Sequence, residues 1–196
     1  NVNPFCGDDS KAVAENKKIL CSTLGIKEKY LIIPHQTHET KSLCVDADFL
    51  SKSNEEQAFL LEGIDALMTD LQGVCVSVST ADCVPVFLYD GEHHAVSVVH
   101  AGWRGTVAQI VSKALATMNK KYGTDVSCVK AVIGPSISVD AFEVGDEVYE
   151  TFYSAGFPMD QIAVRREKWH IDLWVANRVQ LLDEGLRPDA IEMSGI

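Results

Sequence analysis

Basic charge is scarce in this chain of 196 residues: 17 Lys and Arg stand against 28 Asp and Glu, a formal net charge of −11. A general nucleic-acid or anionic-membrane partner needs a basic face, so both partners are excluded. A small anionic ligand is not, because one guanidinium and a few backbone amides can bind it. No apolar run is long enough to span a bilayer, and the first residues carry no signal-peptide pattern. Asn1 stands first rather than Met, so the natural start is expected upstream. Cysteine pairs at C-x-x-C spacing are missing too. The six cysteines (Cys6, Cys21, Cys44, Cys75, Cys83, Cys128) are scattered, which reads as reduced thiols in a cytoplasmic protein rather than a disulfide scaffold. Repeats, low-complexity tracts and interdomain linkers are absent, so residues 1–196 are expected to form a single domain. With no coiled-coil seam, a monomer is the expectation.

What is present centres on Ser77–Gly105. Two apolar runs, Val84–Tyr89 and Ala95–His100, flank Asp90-Gly91, a dipeptide that favours a tight hairpin turn. Folded symmetrically about that turn, the strands bring Cys83 nearly opposite His100. A slip of one residue would move a side chain to the other face. Thr80-Ala81-Asp82-Cys83 and His100-Ala101-Gly102-Trp103-Arg104-Gly105 crowd the two strand ends with polar and small residues.

Around this hairpin the pattern predicts a helix capped at Asp8–Ser10 and running to about Leu24. Short strands are predicted at Tyr30–Ile33, Lys41–Ala47, Gly63–Thr69, Val74–Ser79 and Val129–Ile133. Ser51–Gln57 reads as a surface loop or short helix. Thr106 is the predicted cap of a helix whose core-facing stripe is Val107, Ile110, Val111, Ala114, Leu115 and Met118. Further helices are predicted from Asp146 to Tyr153 and from Asp172 through Leu182, and a last strand begins at Ala190. Strands outnumber helices and their connections are mixed, which favours an α+β sandwich over a doubly wound parallel sheet.

His38, Cys83 and His100 each sit where an apolar strand gives way to a polar or Gly-rich turn. Two imidazoles and a thiolate suffice to hold zinc with a fourth position open, the usual arrangement of a catalytic site. The same Cys83 and His100, without metal, form a nucleophile–base pair. His35 is a rival for His38, His170 a possible supporting group, and His93 and His94 are expected in solvent at the hairpin tip. Asp82 is placed either to orient a ligand and move a proton, or simply to cap a turn. Arg104, beside the amides that open the following helix, makes an anion site or a surface ion pair. Trp103 stacks on a base or packs in the core, and Gly134-Pro135 redirects the chain.

Taken together, Thr80-Ala81-Asp82-Cys83-x-Pro85, His100-Ala101-Gly102-Trp103-Arg104-Gly105 and Gly134-Pro135-x-Ile137 resemble the YfiH family, which carries the label multicopper polyphenol oxidase or laccase. Gln36-Thr37-His38, Asp65-Ala66-Leu67-x-Thr69, Gly7-Asp8-Asp9 and Asp172-Leu173-x-x-Ala176-Asn177 fit it as well. The resemblance implies an α/β/β/α sandwich of mixed sheets related to cysteine-dependent deamidases. It implies zinc on His38, Cys83 and His100, and purine nucleoside phosphorylase chemistry on adenosine, inosine and methylthioadenosine with adenosine deaminase activity. Asp82 would then be catalytic, and Arg104, Trp103 and Gly134 would face nucleoside and phosphate. Amide hydrolysis in peptidoglycan precursor editing is one alternative, and a copper-dependent polyphenol oxidase the other. Two departures are expected to matter. Ala141-Phe142 replaces a Cys-Tyr pair, removing a hydroxyl, and residues 1–196 are expected to be clipped at both ends.

Overall fold

The computed structural model describes residues 1–196, and its elements follow in chain order. They are α1 (Ser10–Leu24), β1 (Leu31–Ile32), β2 (Ser42–Cys44), α2 (Ala47–Ser51), α3 (Asn54–Leu60), β3 (Ala66–Thr69), β4 (Cys75–Val76), β5 (Val84–Asp90) and β6 (Ala95–Ala101). After them come α4 (Trp103–Val107), α5 (Ile110–Tyr122), β7 (Val129–Ile133), β8 (Glu143–Val144), α6 (Asp146–Ser154), α7 (Met159–Ile162), β9 (Ala163–Arg165), β10 (Trp169–Ile171), α8 (Leu173–Asp183) and β11 (Ile191–Met193). No helix is long and apolar enough to cross a membrane.

A six-stranded mixed sheet of order β11-β7-β5-β6-β3-β2 forms the frame. Strands β5 and β6 are its centre, and alternation decides which face of the sheet each of their side chains takes. Val84, Val86 and Leu88 of β5 face inward onto Ile110, Ala114, Leu115 and Met118 of α5 and Ala176 and Leu181 of α8 in one apolar cluster. On the opposite face Leu67 of β3 and Val98 of β6 pack with Ile32 of β1, Phe49 of α2 and the partly buried Val76 of β4. The two-stranded parallel sheet β1-β4 thus lies over one half of the large sheet. Its far side, Leu31 with Cys75, is covered by Cys21 of α1. Over that half the layers run helix, sheet, sheet, helix. The α+β expectation with mixed sheets therefore holds.

Several local expectations are corrected. The hairpin turn is not a tight Asp-Gly pair but a loop of four residues, with Asp90 paired to Ala95. A two-residue type I′ turn would need positive φ at its centre, and Gly91 does not adopt it; His94, at φ 53, does. The Asp90 carboxylate accepts the Glu92 and His93 amides and so builds the longer loop. The register consequently differs: Pro85, two residues beyond Cys83, is opposite His100, and Val84 is opposite Ala101. Cys83 therefore does not face His100 across the ladder.

The predicted strand Lys41–Ala47 shortens to β2, because Asp46 turns the chain and caps α2 through the Phe49 amide. Val74–Ser79 shortens to β4. Ser51–Gln57 contains the end of α2 and the start of α3, which opens on a capping box between Ser53 and Glu56. The stripe assigned to one helix capped by Thr106 spans two, since Gln109 takes a left-handed φ of 62 and separates α4 from α5. The N-cap is Gly102. A small antiparallel sheet of order β8-β10-β9 was not foreseen.

Thr106 has a different task. It is fully buried, and Asn177 Nδ2 of α8 donates to its hydroxyl at 3.2 Å while Gln180 Nε2 donates to its carbonyl at 3.0 Å. This polar latch fixes α4, and with it Gly102–Arg104, against the body of the protein.

Candidate active site and metal centre

Three segments far apart in sequence deliver the donors. His38 lies in the loop after β1, Cys83 immediately precedes β5, and His100 is near the end of β6. Their nearest ligand atoms all lie within 4.8 Å of one another. His38 and His100 meet edge to face, with ring centroids 4.8 Å apart. Tetrahedral zinc with ordinary Zn–N and Zn–S bonds holds its donors roughly 3.5 Å apart. His38 is the exposed member of the three, and His100 the buried one. A thiolate with two imidazoles is a donor set that both zinc and copper accept. The structure brings together the three residues that stand out at the apolar strand ends, although not through a direct ladder pair between Cys83 and His100.

The actual geometry depends on Gly102. It stands opposite Cys83, one step beyond the last ladder pair, and a Cβ there would sit 3.0 Å from Cys83 Sγ and 3.1 Å from His38 Cδ2. The missing side chain is the space in which the thiol and imidazole converge. Gln36 closes the other side: its amide donates to the Ser79 carbonyl and accepts the Ser79 N–H, tying the His38 loop to the segment leading into Cys83.

Behind the donors lies Asp65, which the sequence reading assigned no role. It is fully buried at the start of β3. Its Oδ1 accepts His100 Nδ1–H at 2.8 Å and the His38 amide at 3.0 Å; its Oδ2 accepts the amides of Glu39 at 2.8 Å and Thr37 at 3.3 Å. A carboxylate inside the apolar run Gly63–Thr69 was the signal available, since a buried charge needs partners. Burial alone raises the Asp65 pKa, but the His100 bond and the loop amides outweigh it and hold the carboxyl below its usual range. Burial likewise pulls His100 down, yet its bonds to Asp65 and Cys83 push it up to about 9. His38 goes the other way, lowered by burial and then by the charges of His100 and Arg104.

The remaining expectations divide. Asp82 is exposed, and its carbonyl, accepting the Ile137 amide at 3.0 Å, fixes the turn; its carboxylate holds none of the donors, the place Asp65 occupies. Arg104 is exposed, its guanidinium 4.3 Å over the Trp103 ring, at the side-chain-uncapped start of α4. Trp103 is half-buried against the main core. Gly134 is demanded by packing, since a Cβ would lie 2.9 Å from Pro85 Cγ, and its N–H is already given to the Pro85 carbonyl. His35 is outside the cluster, hydrogen-bonded to Glu62 and stacked on Phe5. His170 is buried and donates Nδ1–H to the Val139 carbonyl. His93 and His94 are exposed at the hairpin tip. A cavity of about 660 Å³ between α1, β1 and α3 contains none of the three donors.

The whole chain, residues 1–196, matches the family described as multi-copper polyphenol oxidoreductase laccase. The chain belongs to this family. Within the laccase-labelled family it is 46% identical over 199 residues to a purine nucleoside phosphorylase of Bacteroides thetaiotaomicron, covering 100% of this chain and 74% of that protein. It is 43% identical over 189 residues to adenosine deaminase RL5 of an unknown prokaryotic organism, covering 95% of this chain and 72% of that protein. Its fold superposes on the crystal structure of the Bacillus licheniformis hypothetical protein YfiH with a TM-score of 0.90 at 25% identity, over 100% of this chain and 74% of that one. The family label and the names of its members thus point to different chemistries.

Proposed function

We propose that this chain carries the active centre of a zinc-dependent purine nucleoside phosphorylase with adenosine deaminase activity. The observation that supports it is the convergence of His38, Cys83 and His100 within 4.8 Å, in a chain with relatives named for both activities. Zinc held by these three residues would supply Lewis-acid polarisation of substrate or water. Arg104 and the first amides of α4 would hold the phosphate dianion, with the Trp103 ring fixing the guanidinium plane. In phosphorolysis a phosphate oxygen bonds to the anomeric carbon and the carbon–N9 bond breaks, giving ribose 1-phosphate and free base. Methylthioadenosine and inosine are accommodated by the same step.

The test is chromatography of products from zinc-loaded protein and adenosine, with and without phosphate, beside Cys83→Ala. Adenine and ribose 1-phosphate that appear only with phosphate support phosphorolysis, and inosine supports deamination. Neither product from folded, zinc-loaded protein sinks the proposal, as does full activity of Cys83→Ala.

A second reading is favoured by the order Cys83, His100, Asp65. A thiol beside an imidazole whose other nitrogen donates to a buried carboxylate is the arrangement of a nucleophile, base and orienting group. It would hydrolyse an amide, with peptidoglycan precursors as the substrate class. Iodoacetamide labelling of Cys83 in chelator-treated, still active protein supports it; activity that disappears with zinc removal rejects it. A multicopper oxidase needs several donor clusters, and the single His-Cys-His group does not favour it.

A further inference from the structure

Asp65, like Asp90 at the hairpin loop, is a fully buried carboxylate that bonds loop amides and a histidine ring, but it does so at the three donors. Its side chain joins two of the three donor-bearing segments, and its main-chain carbonyl additionally accepts the His100 amide at 2.7 Å. The loop it grips contains His38 at φ 64, a left-handed conformation uncommon for a residue other than glycine. Three successive loop amides, those of Thr37, His38 and Glu39, converge on one carboxylate and hold the loop in that conformation. The geometry points to Asp65 as the positioning residue of the centre: it fixes His100 as the tautomer with Nδ1 protonated, so that Nε2 presents its lone pair to Cys83 and metal, and it holds His38 in register with that nitrogen.

This inference deepens the metal-centre reading and rests on it for its affinity consequence, but not for the tautomer. The decisive feature is that four donors share two oxygens, two on each. In Asp65→Asn one oxygen becomes an NH₂ group of nearly the same size. Turned toward Thr37 and Glu39, that group would face two N–H donors. Turned toward His38 and His100, it would face one N–H and an imidazole that can respond by accepting at Nδ1. The second orientation costs less. It moves the ring proton to Nε2, where it blocks both metal ligation and proton acceptance from Cys83.

The experiment uses ¹⁵N-histidine-labelled protein and two-bond ¹⁵N–¹H correlation spectra of His100, recorded without metal through an alkaline pH series and read where the ring shifts have reached their neutral plateau. Zinc affinity is measured separately, by competition with a chromophoric chelator. Wild-type protein should show the proton on Nδ1. Asp65→Asn, verified as folded by circular dichroism and urea unfolding, should show it on Nε2 and bind zinc roughly 10–100-fold more weakly. A folded Asp65→Asn with the wild-type tautomer and affinity overturns the inference. Should the variant fail to fold, the wild-type spectrum alone decides, and a proton on Nε2 there overturns it. Wild-type protein with the Nδ1 proton but no zinc affinity would remove the metal reading and leave the positioning role of Asp65 standing.

Discussion

At the scale of single residues, the centre depends as much on a side chain that is missing as on those present. Gly102 has φ −65 and ψ 165, which any residue can adopt, so the backbone does not require glycine there. The donors require it, because a methyl group would crowd Cys83 Sγ and His38 Cδ2. Gly102→Ala should therefore separate stability from metal binding. The expected loss of stability is about 1 kcal/mol, that of a poorer N-cap. Zinc affinity should fall by at least roughly tenfold, as two first ligands are pushed apart. Urea unfolding of the metal-free protein alongside chelator competition separates the two effects. An unchanged affinity would show that the donors have slack the packing does not suggest. The pH dependence of binding follows from His100. In the metal-free protein its proton is retained up to about 9, and a ligating imidazole must be neutral, so binding below that pH releases the proton. Zinc affinity should then rise by at least about tenfold per pH unit through the neutral range, since the Cys83 thiol must also give up its proton to ligate. The protonated ring acts oppositely on the metal-free fold. Because its folded pKa lies above the ordinary 6.5, its stabilisation is complete below 6.5 and disappears as pH climbs through about 9. A zinc affinity that is flat across the neutral range would refute the assignment of His100 as a ligand.

The elements show which parts of this arrangement a sequence can reveal. The central hairpin was legible because two apolar runs of strand length, Val84–Tyr89 and Ala95–His100, flank a turn dipeptide, and both strands are buried over most of their length. Its register was not, since Asp90 spends its carboxylate on the Glu92 and His93 amides and lengthens the loop, a choice invisible in the Asp-Gly dipeptide. The stripe from Val107 to Met118 was legible as helix, but the left-handed break at Gln109 leaves the apolar spacing intact and so gave no sign. Strands of two or three residues such as β8 and β10 are too short for periodicity to register. The donors His38, Cys83 and His100 stood out as polar residues at apolar strand ends. Asp65 did not, because its role lies in partners that are distant in sequence. The latch between α4 and α8 was hidden for the same reason, and it makes a prediction at this scale. Asn177→Ala removes the donor to the buried Thr106 hydroxyl and leaves a hole beside it. The variant should lose about 1–3 kcal/mol in urea unfolding. The damage should extend to Gly102–Arg104, read as weakened phosphate binding; destabilisation without that weakening would separate the latch from the site.

For the molecule as a whole, the three donors close two long loops of chain, one from His38 to Cys83 and the other from Cys83 through the hairpin to His100. Metal bound there ties the His38 loop, anchored beside the small β1-β4 sheet, to the central strands β5 and β6 of the large one. An unfolded chain has no such site, so binding free energy becomes folding free energy. With zinc at about a hundred times its dissociation constant the folded state gains roughly 2.7 kcal/mol. In a protein of this size each kcal/mol moves the melting temperature by about 2–4 °C. Zinc should thus raise Tm by about 5–10 °C in differential scanning calorimetry, reversed by chelator. Cys83→Ala should show no such rise, although its metal-free Tm should stay near that of the wild type, because Cys83 is only half-buried. Three donors that merely happen to lie near one another would give a small shift, shared by wild type and variant alike. A large shift that survives Cys83→Ala would place the metal elsewhere on this acidic surface, where exposed carboxylates far outnumber basic groups.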